Sequence, residues 1–146
     1  MEPGFFVRNY TETDFPEMIM LWEALGLGGA HRGDDSQVII RTLQMGGELL
    51  LLVEQVSGKI IGTSWLTVDG RRTYIHHFGI HTQYQGRGLA KLLLEASLKV
   101  AKTFGMQIKL EVHKDNAIAI SLYTKSGFVS LGDYQVYIIR DISAIY

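Results

Sequence analysis

The sequence predicts an α+β domain: a mostly antiparallel, mixed central sheet of about six to seven strands, flanked by about four helices. Two observations carry this. Apolar runs suited to strands follow one another through residues 48–80, separated by short turn signals. From Gly88 the apolar spacing changes to that of a helix, and short strand and helix patterns then alternate towards the C-terminus.

The first strand is "FFVRNY" (residues 5–10). In "TETDFPEMIMLWEALGL", Thr13 is placed to cap a helix running to about Leu25, and Pro16 falls in its first turn, where its missing N–H costs nothing. The glycine-rich "GLGGAHRGDD" (residues 26–35) is a loop suited to act as a substrate lid. Val38, Ile39, Thr42, Leu43 and Met45 mark a second helix that Gly46 and Gly47 end. "ELLLLVEQ", "KIIGTSWLTVD" and "RRTYIHHFGI", separated by Val56-Ser57-Gly58 and Asp69-Gly70, read as three consecutive antiparallel strands.

Leu89, Leu92, Leu93, Ala96, Val100 and Phe104 form the apolar stripe of a long helix that Gly105 stops, with Glu95 and Lys99 paired on its polar side. "IKLEV" (residues 108–112) is the next strand, and "NAIAISLYTKS" (residues 116–126) a short helix with Asn116 as its cap and Gly127 beyond its end. "YQVYII" (residues 134–139) closes the sheet.

A chain of 146 residues, 47% apolar, supports one packed domain and is short for two, so residues 1–146 are read as a single domain. Fourteen basic against 15 acidic side chains leave no global field to draw it to nucleic acid or an anionic membrane. Without cysteine there is no disulfide framework and no thiolate zinc site. The N-terminus lacks a basic, long apolar leader, and no run approaches the roughly 20 apolar residues a membrane span needs; a soluble, cytoplasmic protein is expected. His31, His81 and His113 are scattered, and His76 and His77, adjacent in a strand, should point to opposite faces, so no metal site is expected.

The junction "HTQYQGRG" joins the strand ending at Ile80 to the helix starting near Gly88. A helix start exposes unpaired amides and the positive end of the dipole, which suits a phosphate. Gly86 and Gly88 remove the Cβ atoms that would hold a ligand away, and Arg87 adds charge. Pyrophosphate is the natural guest, although the stretch fits neither the P-loop nor the dinucleotide fingerprint.

What it does contain is Gln83-x-x-Gly86-x-Gly88 followed by Leu89-Ala90. "FGIHTQYQGRGLAKLLLEASLKVAKTFG" resembles the coenzyme-A-binding signature Q/R-x-x-G-x-G/A of the GCN5-related N-acetyltransferases, and "LEVHKDNAIAISLYTKSGF" is similar to that family's second conserved segment. Thr82, where many relatives have proline, and Gln83, where arginine is commoner, depart from the pattern.

The resemblance implies that Gln85, Gly86, Arg87, Gly88, Leu89 and Ala90 grip the coenzyme A phosphates. It also implies that residues 74–80 and 108–112 splay apart, with amides near Phe78 and Ile80 holding pantetheine and polarising the thioester carbonyl. Tyr123 matches the tyrosine that protonates the departing thiolate, with packing of a helix aromatic on the sheet as its other reading. Asn116 contacts the cofactor, caps its helix, or does both.

The acceptor amine must lose a proton before it attacks. Glu111, on the strand before Tyr123, resembles the base of protein N-terminal acetyltransferases of the ribosomal-protein type; a solvated carboxylate is the alternative. His77 and His76 are rivals on the strand beside the cofactor gap. Asp34 and Asp35 either attract a cationic amine or serve helix capping.

The implied activity is acetyl-CoA-dependent N-acetyl transfer to a primary amine by direct attack in a ternary complex, with acetyl-CoA as donor cosubstrate. The acceptor is an amine-bearing small molecule or peptide. The alternatives are a noncatalytic acyl-CoA-binding regulatory module and, behind it, a purely structural interaction protein. A homodimer through the terminal strand or an apolar helix face is compatible with the sequence.

Overall fold

Leu49–Val53 are buried without interruption, so the strand that carries them has both faces covered and belongs inside a sheet. A computed structural model describes residues 4–28 and 32–145 and bears this out. Strands β1 (Phe5–Asn9), β2 (Glu48–Glu54), β3 (Ile60–Val68), β4 (Arg72–Ile80) and β5 (Gln107–Leu110) form one sheet in the order β1-β2-β3-β4-β5. The first three pairings are antiparallel, and β5 joins β4 in parallel.

Turn chemistry sets the hairpins. After β2, Gly58 takes φ 73° and Ser57 Oγ donates to Glu54 Oε1 at 2.6 Å. After β3, the Asp69 carboxylate accepts from the amides of Arg71 and Arg72 at 2.7 and 2.6 Å, and Gly70 turns at φ 84°.

Helices α1 (Phe15–Leu25) and α2 (Ser36–Gln44) cover one face of the sheet, and α3 (Leu89–Phe104) covers the other. Trp65 marks the first face: it stacks on Trp22 of α1 at 5.6 Å and donates to Thr42 Oγ1 of α2 at 3.0 Å. Its neighbour Ser64 points the opposite way and accepts from Ser97 Oγ of α3 at 2.7 Å. Pro16 lies in the first turn of α1 and Gly26 ends it at φ 67°; Asp35 caps α2 by accepting from the Val38 amide. A 3-10 turn capped by Thr11 precedes α1, and the N-cap position of α1 is Asp14, not the expected Thr13.

The buried stripe of α3 is Leu89, Leu93, Leu94, Ser97 and Ala101. It is rotated from the stripe read by apolarity because Ser97, bonded to Ser64 and to the Leu93 carbonyl, is satisfied inside the core.

Residues Met1–Glu111 form one unit and Val112–Tyr146 a second, each described by itself. The second contains α4 (Ala117–Lys125), which Asn116 caps by accepting from the Ala119 amide at 3.2 Å. The expected strand over residues 134–139 is absent, so the described sheet has five strands, not six or seven. Its run of Val136, Tyr137, Ile138 and Ile139 has no alternating polar partner to fix a register, and these side chains are exposed. No helix among the described residues is long and apolar enough to cross a membrane.

Candidate functional site

The middle of β4 departs from regular strand geometry. Trp65 stands opposite His76, but Thr63 stands opposite Gly79, so Ser64 faces two residues, His77 and Phe78. This is a β-bulge, and His77 takes up the extra residue at φ 46°, the one positive φ outside glycine among the described residues. A left-handed backbone costs about 1–2 kcal/mol for a residue with a Cβ, so something must hold it.

What holds it is a chain of buried contacts. Trp22 Nε1–H donates to Thr63 Oγ1 at 2.9 Å, and the Thr63 hydroxyl donates to the His77 carbonyl at 2.6 Å. The His77 ring meets Trp22 edge-on at 4.5 Å and Trp65 at 5.4 Å, and its Nε2 lies 2.8 Å from Asp34 Oδ2.

The bulge overturns the expectation that the paired histidines face opposite ways. Strand alternation is broken between them, so both imidazoles reach the Trp65 ring, His76 at 5.9 Å. His76 also shares a 2.8 Å hydrogen bond with Thr67 Oγ1 and stacks on Tyr74. Although part of its surface meets solvent, desolvation pushes the His76 pKa below its ordinary value. Repulsion from His77 adds to this, and Glu111 and Asp34 partly offset it. At neutral pH His76 is therefore a neutral imidazole, able to accept a proton. Glu111 lies just beyond the end of β5 and is exposed; it is not on the strand as expected, because the ladder with β4 stops at Leu110.

That ladder pairs Arg72–Ile75 with Gln107–Leu110 and then ends, while β4 continues to Ile80. His76, Phe78 and Ile80 lie on β4 past the last residue of that ladder. Tyr74 and Ile75 pair with Lys109 and Leu110, so the expected splay of residues 74–80 from 108–112 does not begin before the ladder ends. Gly79 lets Leu27, just after α1, pack against the strand, since a Cβ there would lie 2.9 Å from Leu27 Cδ1.

At the end of β4, Gln85 Nε2 donates to the Ile80 carbonyl at 2.9 Å and ties the loop back to the strand. Gly86 and Gly88 both take φ 78°, and no other heavy atom lies within 4 Å of where their Cβ atoms would be. Gly88 is the N-cap of α3, and the amides of Leu89 and Ala90 fall in its first turn, outside the helical ladder. The spacing Q/R-x-x-G-x-G/A recurs here as Gln85-x-x-Gly88-x-Ala90, the register in which a glycine occupies the helix cap. The Arg87 guanidinium lies over the rings of Phe5 and Tyr84 at 5.0 and 5.7 Å, and Tyr84 donates to Glu54. Open space, first-turn amides and an arginine beside them fit an anionic phosphate group.

In the second unit, Tyr123 is buried edge-on to Phe128 at 5.7 Å, and burial pushes its hydroxyl up to about 12. Asn116 performs the capping role read for it. Of the two adjacent acids, Asp35 caps α2 and Asp34 pairs with His77. That pairing and the Thr63 bridge were missed in the sequence; the available signal was the short "GTS" interruption in an otherwise apolar strand. His31 and the middle of the expected lid loop lie outside the described residues. A separate cavity of about 320 Å³, lined by Tyr10, Thr11, Glu12, Ile40, Leu43 and Gln44, includes none of the candidate residues.

Residues 12–128 match the family model described as Acetyltransferase (GNAT) family. Among solved structures, the chain is similar to glucosamine-6-phosphate N-acetyltransferase from Arabidopsis thaliana, with TM-score 0.76 and 19% identity over 94% of this chain and 99% of that one. It is also similar to the ribosomal-protein-S18-alanine N-acetyltransferase from Escherichia coli, with TM-score 0.70 and 20% identity over 84% and 76%. A third is AAC(6')-Iy in complex with the bisubstrate analogue CoA-S-monomethyl-acetylneamine, with TM-score 0.73 and 17% identity over 94% and 99%.

Proposed function

Because the chain belongs to the GNAT acetyltransferase family, we propose that residues 1–146 work as one acetyl-CoA-dependent N-acetyltransferase domain that acylates a primary amine by direct attack in a ternary complex. The observation that carries this is the glycine-capped start of α3 just after β4, the strand whose ladder with β5 stops at Ile75. The helix cap offers a seat for phosphates. The names of the similar structures support an amine acceptor, carried by a sugar phosphate in one case and by a protein alanine in another.

Gln85, Gly86, Arg87, Gly88, Leu89 and Ala90 hold the pyrophosphate, chiefly through backbone amides. Backbone groups near Phe78 and Ile80 hold the pantetheine arm and polarise the carbonyl. Asn116 keeps the start of α4 ordered, with a cofactor contact compatible with that role. Bound acetyl-CoA supplies the thioester. An incoming ammonium has no lone pair, so a base must take its first proton; His77, neutral His76 and Glu111 are the candidates for this work.

Tyr123 assists the leaving sulfur. With its hydroxyl at about 12 and an ordinary thiol near 8.5, complete proton transfer is uphill by roughly 5 kcal/mol. Its contribution is therefore a hydrogen bond donated to the sulfur as charge develops, from a phenol that stays protonated throughout the physiological range.

The test is thiol release from acetyl-CoA against a polyamine, an amino sugar, free lysine and an alanine-initiated peptide. Release that depends on one of these amines supports the transferase. Binding of acetyl-CoA with no release across the whole panel would instead favour a noncatalytic acyl-CoA-binding module.

A further inference from the structure

We propose that Asp34 is a positioning residue for proton transfer: its carboxylate holds His77 as the Nε2–H tautomer and leaves Nδ1 unprotonated to receive the proton of the acceptor amine. This deepens the acetyltransferase reading above and rests on it.

A carboxylate can only accept, so the proton in the 2.8 Å contact between His77 Nε2 and Asp34 Oδ2 sits on Nε2. The side chains are only 17% and 20% exposed, so water competes weakly for the contact. The ring cannot swing away freely, because Trp22 meets it edge-on and Trp65 lies beside it. Its backbone is fixed in the bulge by Thr63. Gly28 completes the enclosure: a Cβ there would lie 2.7 Å from His77 Nε2 and 3.0 Å from Asp34 Oδ2. Only a residue without a side chain admits the pair in this form.

Asp34 is not needed to cap α2, since Asp35 accepts from the Val38 amide at 2.9 Å. A left-handed histidine, two tryptophans, a glycine and an acid are thus committed to one imidazole. Backbone strain of this kind persists where surrounding structure fixes it, commonly at functional sites.

The proton balance closes. The acceptor ammonium gives one proton to Nδ1, and the imidazolium formed is compensated by the Asp34 carboxylate. The freed amine forms the C–N bond, the C–S bond breaks with its electron pair moving to sulfur, and the second amine proton is lost to yield the amide. The thiolate takes up one proton and the imidazolium releases the other to water. Among the described residues, Asp34 and the neighbouring His76 are the titratable groups that interact with His77, and Glu111 acts on His76; α1 and β3 present the uncharged Trp22 and Trp65.

The experiment uses the full chain with 15N-labelled histidine, comparing wild type, Asp34→Asn, Gly28→Ala and His77→Gln. NMR reads the tautomer, calorimetry reads coenzyme A affinity, and thiol release with the amine panel reads the rate against pH. Wild type should show His77 as Nε2–H at neutral pH. Asp34→Asn should mix the tautomers, because a carboxamide can either accept from Nε2–H or donate to a bare Nε2. Its kcat should fall at least tenfold with coenzyme A affinity changed by less than twofold. Gly28→Ala should reproduce the rate loss, and His77→Gln should lower kcat at least as far as Asp34→Asn does. An Nδ1–H tautomer in wild type overturns the inference. So does an Asp34→Asn protein with an unchanged tautomer, or one with an altered tautomer and wild-type rates. Failure of the folded wild-type chain to bind acetyl-CoA, or to release thiol with any amine, would overturn the transferase reading and this inference with it. Normal turnover with an indifferent Asp34 variant removes the inference alone.

Discussion

Replacing Thr63 by valine keeps the side chain's shape and removes one hydroxyl that serves two partners. Thr63 and Trp22 are both fully buried, so the Trp22 indole N–H would lose its acceptor with no water to replace it. An orphaned buried donor costs about 1–3 kcal/mol, and the lost bond to the His77 carbonyl adds about 0.5–1.5 kcal/mol. The sum is a destabilisation of about 1.5–4.5 kcal/mol. With a mid-range urea slope of about 2 kcal/mol per molar, the unfolding midpoint should fall by roughly 1–2 M. In the double-mutant cycle with Trp22→Phe, the valine should cost about 1–2 kcal/mol less than it does alone, because the orphan has been removed in advance. A Thr63→Val protein within 0.5 kcal/mol of wild type, or a strictly additive cycle, would refute the claim that this hydroxyl holds the bulge.

Gly86→Glu places a carboxylate where phosphate is held, at a backbone φ of 78° that a side chain tolerates poorly. Calorimetry should find coenzyme A affinity reduced at least a hundredfold in a protein that still folds. Tyr123→Phe removes a hydrogen bond to a developing charge, worth about 1.5–3 kcal/mol, so turnover should fall about 10- to 100-fold while coenzyme A binding is preserved. Asp14 is held at about 2, first by its bonds to Arg8 and less by the Thr11 amide, against an ordinary value of 3.8. A depressed carboxylate stabilises the fold above its unfolded value and stops doing so as pH falls through the folded one. Wild-type stability should therefore drop between about pH 4 and pH 2. Since Arg8 is about a third exposed, the contribution is discounted to about 1–2 kcal/mol, and Asp14→Asn should flatten that drop in acid unfolding curves.

The parts of the fold legible in the sequence are those set by local chemistry. Asp69-Gly70, Gly105 and Asn116 each act where their residue type suggests, and the β2–β3–β4 meander follows from its turns. The glycine junction was readable for the same reason, since a helix start and two bare Cα atoms lie within a few residues. Long-range features were not readable. Period-two reasoning sends His76 and His77 to opposite faces, and only the one-residue register shift between Thr63 and Trp65 in the pairing with β4 puts a bulge there. The Asp34–His77 pair spans 43 residues, and nothing local marks Asp34 above Asp35. Residues 134–139 have strong strand propensity, but propensity without an alternating face does not specify a partner.

The central claim is that β4 beyond Ile75 and the cap of α3 bind acetyl-CoA. It is tested most directly by calorimetric titration of the folded 146-residue chain with acetyl-CoA, with Gly86→Glu titrated alongside. Saturable one-to-one binding by wild type that is lost in the variant is the expected result. An absence of binding by the folded wild-type protein, or equal binding by the two, would contradict the account.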